Sequence, residues 1–212
     1  MRIARFQFNM LPVNTYVLWD TASRECAIVD AGCYYPKEEE TLAEFIDDNK
    51  LTVKYLLATH LHFDHCFGNS FVSTKYGVIL YAAEDDEFLL QNMARQCESF
   101  GIPFRGEIQP IGHYISDKDT FDLGHEKLKA IAIPGHSPGS MAFYAPDSGF
   151  VLSGDALFQM SIGRTDLPGG NHHQLVESIR TRLLTLPKET IVYPGHGPET
   201  EIGIEQIENP FL

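Results

Sequence analysis

The chain has 212 residues, 43 % hydrophobic and 21 % charged, and its 16 Lys and Arg against 29 Asp and Glu leave a formal charge of −13. This composition excludes disorder for the bulk of the chain, and the length suits one domain over 1–212 with a sizeable core. The acidic balance argues against a nucleic-acid partner, because phosphate contacts need clustered Lys and Arg. No apolar run approaches the roughly 18 residues of a membrane span. The opening stretch is interrupted by Arg5, Gln7 and Asn9, so it has no signal-peptide core. A cytoplasmic enzyme or binding protein is expected. Cys26, Cys33, Cys66 and Cys97 lack C-x-x-C spacing and are expected as free thiols.

In chain order, RIARFQF, NTYVLWD and CAIVDA are short runs rich in aromatic and β-branched residues and are predicted as strands. Pro36 opens a helix through KEEETLAEFIDDN, with Leu42, Phe45 and Ile46 on one face and acids in the first turn. VKYLLATH is predicted as a buried strand and GVILYAA as another. EDDEFLLQNMARQCESF then carries Phe88, Met93, Cys97 and Phe100 at helical spacing, a stripe that fits a core face or a pocket wall. GIPFRGEIQPIG, rich in Gly and Pro, reads as a long loop. EKLKAIAI, MAFYAP, FVLSGD and TIVYPG are predicted strands, with a helix from about Asn171 to Leu184 between the last two. Strands and helices mixed in this order point to sheets covered by helices.

The placement of the nine histidines carries the chemical information. Four segments share one plan, an apolar strand, small residues, then a candidate ligand: LLAT-His60, IAIPG-His136, VLSG-Asp155 and IVYPG-His196. A strand is a rigid base, and the small residues let the chain turn so that the ligand projects from the strand end. In Thr59-His60-Leu61-His62-Phe63-Asp64-His65, alternate residues face one side, so His60 and His62 can reach one ion while a turn sends Asp64 and His65 to a neighbouring position. Imidazole nitrogen and carboxylate oxygen suit zinc, iron or manganese, and the lack of clustered thiolates argues against a closed structural zinc site. Five histidines and two aspartates exceed one tetrahedral ion's needs. Two divalent ions about 3.5–4 Å apart would use all seven, lower the pKa of a bound water and polarise a carbonyl, which is hydrolytic chemistry.

THLHFDH, PGHSPGS, SGDALF and YPGHGP in this order resemble the metallo-β-lactamase superfamily. The resemblance implies an α+β fold, an αββα sandwich of two central mixed β-sheets flanked by helices. It also implies that His60, His62 and His136 bind a first metal, that Asp64, His65 and His196 bind a second, and that Asp155 bridges, with Zn the expected ion and Fe or Mn compatible. Asp64 would orient the attacking, metal-bridging hydroxide. Within the superfamily, Ile162–Gly170 and Asn209–Leu212 are similar to short bacterial glyoxalase II-like proteins, the hydroxyacylglutathione hydrolases. That implies hydrolysis of a thioester such as S-lactoylglutathione, with Arg164 as a candidate substrate contact. Two features depart from the longer glyoxalase II enzymes. Residues 201–212 carry no Lys or Arg, and Gly-Arg-Thr-Asp replaces a Gly-Lys-aromatic-aromatic motif. The segment 93–106, with Met93, Phe100, Phe104 and Arg105, is a candidate alternative pocket wall.

A second reading is a mononuclear-iron persulfide dioxygenase, because that subgroup shares Gly-Arg-Thr-Asp and the scaffold. The intact second-metal set favours the hydrolase. A β-lactamase of the commonest type would have Cys in place of Asp155, and an acyl-homoserine lactonase would have Tyr in place of Phe158. His113, His125, His172 and His173 are expected outside the site.

Overall fold

Two six-stranded sheets organise the computed structural model, which describes residues 1–212. The first contains β1 (Arg2–Phe8), β2 (Val13–Trp19), β3 (Glu25–Val29), β4 (Thr52–Leu57), β5 (Leu80–Ala82) and β6 (Ile111–Tyr114), side by side in chain order. The second begins with β7 (Thr120–Leu123), β8 (Glu126–Ala132), β9 (Met141–Ala145) and β10 (Phe150–Gly154). A separate ribbon, β11 (Leu157–Phe158) and β12 (Ser161–Ile162), precedes its last strands, β13 (Ile191–Pro194) and β14 (Thr200–Glu201). Both sheets are mixed. In the first, β1–β2–β3 pair antiparallel and β3–β4–β5–β6 parallel. In the second, only β10–β13 is parallel.

The period-2 geometry of a strand sends successive side chains to opposite faces, and here both faces are buried. In β2, Tyr16 and Leu18 enter the layer between the sheets, while Val17 faces outward. In β3, Ala27 and Val29 point inward, Cys26 and Ile28 outward. Phe143 of β9 and Leu152 of β10 meet them from the second sheet, whose other face presents Ala142, Val151 and Val192. This double burial explains why these strands read as near-continuous apolar runs.

Helices cover both outer faces. α1 (Pro36–Asp48) lays Leu42 and Ile46 on the first sheet, and its N-terminus is fastened by Glu38, whose carboxylate accepts from the Asn9, Tyr34 and Tyr35 N–H groups. α2 (Asn69–Tyr76), α3 (Glu87–Gln91) and α4 (Met93–Ser99) complete that layer with Val72, Leu90, Met93 and Cys97. On the second sheet lie α5 (His172–Ser178), continued by a wide turn over Ile179–Leu183, and α6 (Ile202–Glu208). The layers run helix, sheet, sheet, helix, as expected from the sequence.

Differences from the sequence reading are local. The stripe over 84–100 is not one helix but a single 3-10 turn (Glu84–Asp86) followed by α3 and α4. Asn92 interrupts it, with its side-chain amide donating to the Phe88 carbonyl (2.7 Å), a local bond that competes with helix continuation. Of the stripe, Met93 and Cys97 are core, whereas Phe100 is exposed. Strands β6, β7 and β14 and helices α2 and α6 are short or amphipathic only in context, and no periodicity announced them. His113, expected outside the site, lies exposed on β6.

All four thiols are free and buried. Burial pushes Cys26 up to about 12 and Cys97 up to about 11, and raises Cys33 and Cys66 as well. The thiolate is the reactive form. Ellman's reagent at pH 8 will therefore find no rapidly reacting thiol in the native protein and all four after denaturation in guanidinium.

Candidate metal centre

Four strand ends meet at one rim of the sandwich, and the seven residues nominated by the sequence come together there. His60 follows β4, His136 follows β8, Asp155 follows β10 and His196 follows β13. His62, Asp64 and His65 sit on the turn after His60, where residues 63–65 form a single 3-10 turn. One ligand atom from each of His60, His62 and His136 lies within 4.8 Å of the others, and the same holds for Asp64, His65 and His196. Asp155 lies between these triads. Its carboxylate is 3.8 Å from His136 Nε2 in the first, and 3.5 and 3.6 Å from the Nε2 atoms of His65 and His196 in the second. Asp64 Oδ2 is 3.2 Å from His196 Nε2 and 3.7 Å from His65 Nε2.

The rings are oriented by their other nitrogens. His136 Nδ1–H donates to the Arg164 carbonyl at 2.8 Å, which makes Nε2 its lone-pair nitrogen, and that atom faces His62 Nδ1 at 2.9 Å. His65 Nδ1–H donates to Asp30 Oδ2 at 3.0 Å. Thr59 Oγ1–H donates to the same Asp30 oxygen at 2.6 Å and faces His60 Nδ1 at 3.1 Å, so one carboxylate orients a ring in each triad. Asp30 holds φ at +53°, a conformation that costs energy outside glycine and that clusters at functional sites.

Asp86 is a second buried carboxylate with a structural task. It accepts from Leu61 N–H (3.1 Å), between His60 and His62, and from Ser137 Oγ–H (2.7 Å) and Gly139 N–H (2.7 Å), beside His136. It clamps the two loops of the first triad together, and burial raises its carboxyl above the usual range. The sequence reading missed Asp30 and Asp86. Asp30 carried a weaker signal, since CAIV-Asp30 ends an apolar strand on a candidate ligand but lacks the intervening small residues. Asp86 lies in an acidic turn and carried none.

Close approach also dictates composition. A Cβ on Gly195 would fall 2.1 Å from Asp155 Oδ1 and 2.8 Å from His65 Cε1, so the residue before His196 has room only for hydrogen. Gly154, before Asp155, combines φ +52° with a Cβ position 2.5 Å from Thr59 Oγ1.

The electrostatics divide the triads. Burial, reinforced by neighbouring imidazoles, holds His60 well below the ordinary histidine value and pushes His62 down to about 3. Both are neutral at pH 7 and offer lone pairs without competition from protons. In the second triad burial opposes charge on His65 and His196, but Asp155, Asp64 and Asp30 outweigh it for His65, and Asp64 and Asp155 for His196, so both are raised. Burial opposes ionisation of Asp64 and Asp155, yet the adjacent imidazoles hold both below the usual carboxylate range.

The donor set fits divalent cations. His60 Nε2, His62 Nε2, His65 Nε2 and Asp155 Oδ1 are buried with no hydrogen-bond partner, a rare condition that a metal ion relieves. Imidazoles and ionised carboxylates without thiolate are the ligands of zinc, iron and manganese. Arg164, nominated as a substrate contact, lines the cleft, but its exposed guanidinium is engaged by Asp166 through two 2.7 Å bonds. His125, His172 and His173 are exposed and outside the cluster.

Residues 9–196 match the metallo-beta-lactamase superfamily. The chain belongs to that superfamily. It is 36 % identical to the probable metallo-hydrolase YqgX of Bacillus subtilis over all of this chain and 98 % of that one. It is 35 % identical to the hydroxyacylglutathione hydrolase GloC of Haemophilus influenzae over 94 % of this chain and 92 % of that one. Among solved structures it superposes on the BLEG-1 B3 metallo-beta-lactamase with a TM-score of 0.89 at 34 % identity, covering 100 % of this chain and 99 % of that one. TTHA1623, solved in a di-iron-bound form, gives 0.86 at 32 % identity, covering 99 % and 100 %. The superfamily's αββα sandwich is the fold described above, and no helix is long and apolar enough to cross a membrane.

Replacing Asp86 by Ala leaves the buried Leu61 and Gly139 N–H groups without an acceptor, at about 1–3 kcal/mol each, while Ser137 Oγ–H keeps Ser140 Oγ at 2.7 Å. We expect urea unfolding to show a loss of a few kcal/mol. Competition with a chelator will show metal affinity reduced by about 10–100-fold, as for other residues that orient ligands.

Proposed function

We propose that this member of the superfamily is a binuclear thioester hydrolase of the glyoxalase II type, acting on S-lactoylglutathione or a related acyl-thiol. The observation that carries the reading is Asp155, placed within 4 Å of imidazoles from two separate three-residue ligand groups. His60, His62 and His136 would hold one cation, Asp64, His65 and His196 the other, and Asp155 would be shared. Bound there, zinc, or iron or manganese in its place, would supply Lewis acidity and an acidified water.

The chain's own residues would do the rest. Asp64, ionised and nearly buried, would accept a hydrogen bond from the attacking water and fix its approach to the acyl carbon. The C–S bond then breaks, the acyl group leaves as a carboxylic acid, and the water's remaining proton goes to the thiolate. Phe63, Phe158 and Leu11 narrow the cleft, which has a volume of about 490 Å³ and sits directly over the ligands. Support for a thioester comes from the relationship to GloC, and support for two metals of one kind from the di-iron form of TTHA1623.

The test is hydrolysis of S-lactoylglutathione by purified protein, with elemental analysis of the same sample and a β-lactam as comparison substrate. Turnover with about two metals per chain is expected. His60→Ala and Asp155→Ala should lose both metal and turnover, whereas Asp64→Asn should lower kcat by about 10²–10⁴-fold with a smaller loss of metal at the first triad. Full activity in Asp155→Ala would defeat the two-metal account. One iron per chain with oxygen consumption on glutathione persulfide would establish the dioxygenase instead, and β-lactam turnover alone would align the chain with BLEG-1.

A further inference from the structure

A second cavity of about 420 Å³ opens beside the metal cleft and shares four wall residues with it, His62, Phe63, Phe100 and Leu167. The two form one continuous depression with the candidate metal ligands at one end. The second cavity falls within the ~300–1,000 Å³ typical of small-molecule sites, and nothing in the proposed hydrolysis uses it. One wall is α3 and α4 with Asn92 between them, which present Phe88, Asn92, Arg95, Gln96 and Ser99 to the space.

Arg95 is the cavity's one Lys or Arg. In a chain with a formal charge of −13 an arginine readily finds a carboxylate, and six ion pairs are made by other Lys and Arg side chains. Arg95 is in none of them. Arg164, the other arginine on the depression, is neutralised by Asp166. The polar groups around Arg95 share one bias. Asn92 and Gln96 each spend an amide N–H on a backbone carbonyl, of Phe88 and Leu89, both at 2.7 Å, and their amide oxygens accept nothing within the chain. Ser99 Oγ donates to the Arg95 carbonyl at 2.9 Å and keeps its acceptor capacity. The wall therefore offers one uncommitted cation and three acceptors, with aromatic surface between them and the ligands. That pattern is complementary to a carboxylate on an arm that also carries N–H groups, a small peptide.

We infer that this cavity is the thiol-arm subsite of the thioester and that Arg95 is its carboxylate receptor, selecting acyl thioesters of peptidic, carboxylate-bearing thiols. The inference rests on the thioesterase reading for its reaction, but not for its binding chemistry. An arginine fork pairs with a carboxylate through two parallel hydrogen bonds, which a neutral arm cannot replace.

The test compares two lactoyl thioesters, one on glutathione and one on neutral N-acetylcysteamine. The zinc-loaded parent should prefer the glutathione thioester. That preference, the ratio of the two kcat/KM values, should fall about tenfold in Arg95→Ala, further in Arg95→Glu, and recover only in part in Arg95→Lys, which keeps the charge but not the fork, with the loss in KM rather than kcat. An unchanged ratio in Arg95→Ala and Arg95→Glu overturns the inference. So does a loss that follows a carboxylate on the acyl group, seen with succinyl-N-acetylcysteamine. If the parent cleaves neither lactoyl thioester, the thioesterase reading fails by itself, and the subsite is decided by calorimetric titration with S-methylglutathione. Binding weakened about tenfold in Arg95→Glu then upholds the subsite, and equal or absent binding overturns it.

Discussion

Two carboxylates, Asp64 and Asp155, are held nearly out of water within 4 Å of the same two imidazoles, and the rest of the structure depends on satisfying that arrangement. Burying ionised groups costs several kcal/mol each unless opposite charge and hydrogen bonds compensate. The protein supplies part of the compensation itself, through raised His65 and His196. The remainder is what bound divalent metal would provide, and the unpartnered Nε2 atoms of His60 and His65 are buried donors open to it. The ordered backbone around the cluster follows from the same need. Asp30, Asp86 and the Arg164 carbonyl each fix a ring or a loop, so that desolvated donors do not have to find their positions on binding.

The sandwich makes that fixation affordable to a chain of modest length. The central strands β2, β3, β9 and β10 are buried on both faces, and the inter-sheet layer of Tyr16, Leu18, Phe143 and Leu152 locks one sheet against the other. Ligands arriving from β4 and its following turn therefore hold a constant distance from those arriving from β8, β10 and β13. Hydrogen bonds across the seam reinforce this, with Met141 N–H donating to the Thr59 carbonyl at 2.7 Å and Asn14 N–H to the Gly195 carbonyl at 2.7 Å.

Much of this was legible in the sequence, because the signals were local. Apolar runs of five to seven residues marked the central strands, Pro36 and the acids after it marked α1, and the strand-then-ligand plan together with the run from His60 to His65 nominated seven residues that the fold gathers at one rim. What was not legible depends on contacts far apart in the chain. Asp86 looks like any acid in an acidic turn until Ser137 and Gly139 arrive from some fifty residues away to donate to it. The break at Asn92 is invisible in periodicity because the apolar stripe continues through it. Arg164 was conspicuous beside the motif, yet its neighbour two residues on, Asp166, occupies its guanidinium. Arg95 was hidden inside a helical pattern that reads as core.

Every candidate ligand follows the carboxyl end of a strand, which leaves the opposite rim of the sandwich without a chemical task. The turns there, 20–24, 49–51, 124–125 and 146–149, are short, and several hold left-handed residues, including Arg24, Lys50, Gly124 and Gly149. Length changes at that rim are absorbed by solvent-facing chain, as surface turns generally absorb them. One residue added inside β10 would instead swing Asp155 to the other face of the sheet, because side chains alternate along a strand. The molecule is therefore divided into a rim where register is everything and a rim whose turns stand apart from the cluster.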